Sequence, residues 1–126
     1  KALNLEWEEI QARRERAWKL LLSLCGEGKV ASFLRSYSFS RGRIQEELEE
    51  LLEILSSFFR DMVLIQERGD KHLLMNPDYE EEFTKASYFL TREKSMECLE
   101  RMDYALYALQ KNLNLNLLLT SLFSRG

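Results

Sequence analysis

Between Ile44 and Ile65 the chain carries Ile44, Leu48, Leu51, Leu52, Leu55, Phe58, Phe59, Met62 and Ile65 at helical spacing. Glutamates occupy the opposite face of the first half of this stretch. The second half is apolar nearly all round: Leu55, Phe58, Phe59, Met62, Val63, Leu64 and Ile65. A helix with that change must be covered more deeply toward its C-terminal end. One such helix, about Arg43 to Arg68 and stopped by Gly69, forces other elements to wrap around it.

The rest of the sequence supplies those elements as helices. A stretch of about Leu5 to Leu24 repeats Trp7, Ile10, Arg14, Trp18, Leu21 and Cys25 at helical spacing, with Asn4 as a cap and Gly26 and Gly28 as the stop. A short helix follows at about Lys29 to Tyr37. A connector, Lys71 to Met75, leads to Asn76 and Pro77, and Pro77 suits the first position of a helix to about Phe89. Thr91 caps a helix of about Arg92 to Lys111, lined by Met96, Leu99, Met102, Leu106, Leu109 and Leu113 and flanked by Tyr104 and Tyr107. The last helix, about Leu115 to Phe123, is apolar on several faces and needs cover from the domain or from another chain.

A single proline and five glycines in 126 residues cannot punctuate a many-stranded protein. The expected fold is all-α: a compact bundle of about six helices with no sheet, forming one domain over residues 1–126. The chain opens on Lys1, which reads as a piece of a longer protein.

Charge is banded. Residues 1–45 hold nine basic and five acidic groups, residues 46–82 three and twelve, and residues 83–126 six and four. Complementary fields of this kind favour one register between neighbours. The net charge of −3 is not the footprint of a nucleic-acid binder. Cys25 and Cys98 lie among apolar residues and suit buried thiols in a reducing cytoplasm. No apolar run is long enough to span a membrane, and no signal peptide is visible.

The chemistry-bearing residues are sparse. His72 is the single histidine and lies in a polar connector, which suits a solvated side chain better than a triad. No Glu-x-x-His, Cys-x-x-Cys or glycine-rich phosphate loop occurs. Glu49, Glu50 and Glu53, with Glu100 and Asp103, resemble the magnesium-binding signature of all-α nucleotide pyrophosphohydrolases, because carboxylates at i and i+3 can share a hard cation. A further helix intervenes between the two motifs, and the glutamates lie opposite the apolar stripe, so a solvated acidic face is the better reading. Glutamates four apart repel, and that cost calls for Arg or Lys nearby. The cluster Arg13, Arg14, Arg16 and Lys19 fits pairing along its own helix better than contact with protein or DNA.

The second half of the chain resembles a known family. A long apolar-faced helix leads to Asn76-Pro77-Asp78 and a short helix; an amphipathic helix ends in Lys111, Asn112 and Asn114; a terminal helix carries Leu117, Leu119 and Leu122. This pattern resembles the C-terminal collar domain of bacterial DNA polymerase III clamp-loader subunits, most closely delta prime, with gamma/tau related. Leu115 and Thr120 stand where that family often has proline and glutamate. The resemblance implies a non-catalytic, cofactor-free domain that follows AAA-type modules and packs with the delta and gamma/tau subunits into a collar. Sliding clamp and primed DNA would be met only through the whole assembly, in the cytoplasm and away from membranes. The expected interface is Tyr104, Tyr107, Leu115, Leu118, Leu122 and Phe123. The alternatives are the magnesium-dependent hydrolase and a free-standing helical adaptor.

Overall fold

The computed structural model describes residues 2–25 and 44–111. Among these residues the chain is all-helical. Four α-helices appear: α1 (Ala2–Cys25), α2 (Ile44–Gln66), α3 (Glu80–Ala86) and α4 (Arg92–Gln110). Two short 3-10 helices, Lys71–Leu73 and Pro77–Tyr79, lie between α2 and α3. The expected count of about six helices is not matched by these four. The expected helices at 29–37 and 115–123 lie outside the described residues.

α2 is the central element. It packs most extensively against α4, then against α1 and α3. Leu48, Leu51, Leu52, Leu55, Phe58, Phe59 and Met62 are all buried. Cover is as deep at Leu48 and Leu52 as at Phe58, and Val63, Leu64 and Ile65, at the C-terminal end of the apolar half, are only partly covered. Trp18 of α1 meets Phe58 edge-on at 5.6 Å and Phe83 of α3 at 5.6 Å, while Tyr79 lies 5.0 Å from Phe58. Tilted and edge-on ring pairs of this kind add roughly 1 kcal/mol each beyond the area they bury.

α4 buries a different set of residues from its long apolar ones. Ser95, Cys98, Ala105 and Ala108 are buried along with Met102 and Leu109, whereas Leu99 and Leu106 are only partly covered. Small side chains let two helix backbones approach closely, so α2 supplies the bulk and α4 the space. Cys98 is thus a buried thiol.

The ends of the helices correct three sequence expectations. α1 begins at Ala2, so Asn4 lies inside the helix and does not cap it. α3 ends at Ala86, and residues 87–89 form turns in place of a further helical turn. α2 ends in a Schellman arrangement, in which the Gly69 N–H donates to the Leu64 carbonyl at 2.9 Å and the Arg68 N–H to the Ile65 carbonyl at 3.0 Å. The left-handed residue is Arg68, with φ 58°, and not the glycine beside it. A Cβ at Gly69 would meet the end of the Leu64 side chain, which would have to shift to make room. Thr91 caps α4 as expected, its hydroxyl accepting from the Lys94 N–H at 3.1 Å.

Candidate interaction site

The connector between α2 and α3 is held by a polar network that joins three parts of the chain. Asp61 on α2 is 2% exposed. Its carboxylate accepts from the Met75 N–H at 3.0 Å, the Asn76 N–H at 2.7 Å and the Asn76 side-chain amide at 3.0 Å. The same amide donates to Ser57 at 3.2 Å. The Asn76 side-chain oxygen, Oδ1, accepts from Arg14 of α1 at 3.1 Å. Arg14 then grips Asp78 through two bonds of 2.8 Å and lies 4.7 Å from the centre of the Tyr79 ring.

Each group in this network is tuned by its neighbours. The hydrogen bond to Asp78 raises the Arg14 pKa, outweighing the opposing effect of burial. The same bond lowers the Asp78 pKa. Burial raises that of the Tyr79 hydroxyl. Pro77 opens the 3-10 helix after Asn76, as expected, but Asn76 makes no cap bond to it. Its side chain is instead spent inward on Asp61, Ser57 and Arg14. Asp61 is missed by the sequence reading; its one local signal is a carboxylate set in the apolar half of α2.

Tyr104 and Tyr107 sit on α4 with its buried residues on the other side, and are 62% and 58% exposed. They are three residues apart on one helix surface. Lys111, directly after α4, holds its ammonium 5.5 Å from the Tyr107 ring. These three form an amphipathic strip on a helix whose other side is fixed in the core. The remaining expected interface residues, Leu115, Leu118, Leu122 and Phe123, lie outside the described residues, as do Asn112, Asn114, Leu117 and Leu119.

The carboxylates of the alternative hydrolase reading are engaged elsewhere or apart. Asp103 accepts from the Ser56 hydroxyl at 2.7 Å and lies 3.8 Å from Arg60. Glu50 pairs with Arg13 across the α1–α2 contact at 3.6 Å, supplying the basic neighbour the glutamate face requires. Among the described residues no group of three or more His, Cys, Asp or Glu side chains is placed to hold a metal ion. His72 is 95% exposed, with Nδ1 3.0 Å from Asp70, which caps its own 3-10 helix. Accepting the His72 backbone N–H, then meeting its ring, lowers the Asp70 pKa.

An open groove of about 450 Å³ runs along α3 between Asp78, Glu81, Lys85 and Tyr88. Its mixed charges and wide mouth give it no enclosed, dry interior for chemistry. No helix among the described residues is long and apolar enough to cross a membrane. Compared with known protein families, curated proteins and solved structures, the chain matches none.

Proposed function

We propose that this chain is a non-catalytic interaction module: the C-terminal collar domain of a bacterial DNA polymerase III clamp-loader subunit, delta prime or the related gamma/tau. In this reading it acts in the cytoplasm, packing against the delta and gamma/tau subunits. It takes part in loading the sliding clamp on primed DNA only through that assembly. It binds no cofactor and contributes rigid surface in place of chemistry.

The observation that carries the reading is the exposed Tyr104–Tyr107 pair on a helix whose other side is locked into the core. Tyrosine offers a large, stiff, amphipathic contact and is enriched at protein interfaces. The dispersed carboxylates favour an interaction role over the magnesium-dependent hydrolase. The motif residues Lys111, Asn112 and Asn114, with the leucines at 117, 119 and 122, support the family assignment by resemblance. The polar network around Asp61 fits a domain that must hold its shape under load from its neighbours.

The test is assembly. The chain is co-expressed with the other loader subunits, and the complex is isolated by size. Removal of residues 113–126 is expected to abolish co-isolation. An unchanged complex would refute the collar role of that segment. Nucleoside-triphosphate hydrolysis by the chain, lost on Glu50→Gln, would refute the module reading itself.

A further inference from the structure

The start of α1 stands clear of the bundle. Every side chain from Leu5 to Ile10 is exposed, with Trp7 at 62% and Ile10 at 50%. At about 100° per residue, Trp7, Ile10 and Arg14 fall within a sector of about 60° on the helix. The stripe that is buried at Ala17 and Leu21 therefore continues into solvent. Trp7 and Ile10 are three residues apart, so their exposed side chains adjoin on one helix surface.

The charges around this stripe are complementary to themselves under reversal. Glu6 and Arg13 are seven residues apart, so they lie on the same flank of the helix, about 10 Å from each other along its axis. When two such helices run antiparallel, residues on one flank meet residues on the equivalent flank. We propose that the Trp7–Ile10 face docks against a second copy of this chain as an antiparallel α1 pair centred near Glu8 and Glu9. Trp7 of each copy then lies on Ile10 of the other, and Glu6 of each reaches Arg13 of the other at both ends of the seam. Arg13 keeps its ion pair with Glu50 at 3.6 Å, yet its side chain is 41% exposed, which leaves further guanidinium N–H groups to meet a carboxylate of the second copy. Glu8 and Glu9 lie well off the seam, where like charges do not meet. The two helix dipoles oppose each other, which also favours this arrangement. Such an isologous contact is closed and stops at a dimer.

The contact rests on α1 alone and is independent of the collar reading, which concerns α4 and the segment after it. It is small, so it dissociates on dilution. Sedimentation of the full 126-residue chain, from about 10 µM to about 1 mM, is expected to give a reversible monomer–dimer equilibrium. Trp7→Glu and, separately, Ile10→Ser each raise the dissociation constant roughly tenfold or more. At dilutions where the parent is monomeric their unfolding midpoints match the parent's, because both side chains are exposed in the monomer. Glu6→Arg alone and Arg13→Glu alone weaken the dimer, and the two together restore it to within about threefold of the parent. Since Arg13→Glu breaks the Glu50 contact in both variants, recovery reports only the pairing between copies. A chain that stays monomeric throughout overturns the proposal, as does a dimer indifferent to Trp7→Glu. So does failure of the charge exchange to restore association.

Discussion

The two halves of α1 carry one stripe to opposite fates. At Ala17, Leu20 and Leu21 it is wholly buried, and Trp18 beside it joins a cluster of rings from α2, α3 and the turn before α3. At Trp7 and Ile10 the same spacing faces solvent. Arg14 marks the boundary, bound to Asn76 and Asp78 at the rim of the bundle. Periodicity thus reports which side of a helix is apolar, but not how far its cover extends. That limit depends on where the α2–α3 connector crosses α1, and the crossing is pinned by Asp61.

The difference can be broken by substitution. In urea titrations, Phe58→Ala should cost about 3–5 kcal/mol, since Phe58 is fully buried and central to the ring cluster. Leu21→Ala should cost about 2–4 kcal/mol, while Ile10→Ala on the same stripe should stay within about 0.5 kcal/mol. A large loss at Ile10 would mean that the two halves are equally covered.

The boundary itself can be sharpened. Asp61→Ala strands three N–H groups, two of them on the buried Asn76, and should cost about 3 kcal/mol. Hydrogen exchange should then show Met75 and Asn76 losing protection before α2 does. Asp78→Asn should cost about 0.5–1 kcal/mol at neutral pH, because the Asp78 side of the Arg14 pair is half exposed. Its pH dependence has a definite sign. Arg14 lowers the Asp78 pKa, so the carboxylate contributes fully above the ordinary aspartate value. That contribution fades as pH falls through the lowered folded value. Parent and Asp78→Asn stabilities should therefore converge in strong acid. The smallest effect is favourable: Arg68→Gly relieves a left-handed residue and should raise stability by about 0.5–1 kcal/mol.

Much of this was legible in the residues. The apolar stripe of α2 announced the residues from Leu48 to Met62 that line the core, but not that Val63, Leu64 and Ile65 stay partly open, and Thr91 announced the start of α4. The cap at Arg68 was hidden because glycine stood one position later, and the more familiar residue drew the assignment. On α4 the expected Met102 and Leu109 are buried and Leu99 and Leu106 pack at the edge of the core, but Ser95, Ala105 and Ala108 were not legible, because close helix packing selects them for small size. The Asp61–Asn76 link spans fifteen positions and depends on the path of the connector, which local pattern does not encode. Within the candidate interface, the exposure of Tyr104 and Tyr107 follows from their position away from the α4 core. No local feature told them from tyrosines of a solvated face.

The proposed meeting of the exposed side of α4 with other subunits is tested most directly by mixing the chain carrying Tyr104→Ala and Tyr107→Ala with the delta and gamma/tau subunits and measuring co-sedimentation. Both tyrosines lie outside the core, so the unfolding midpoint should not move while association falls at least tenfold. Association equal to that of the parent chain, at the same folded stability, would contradict the account.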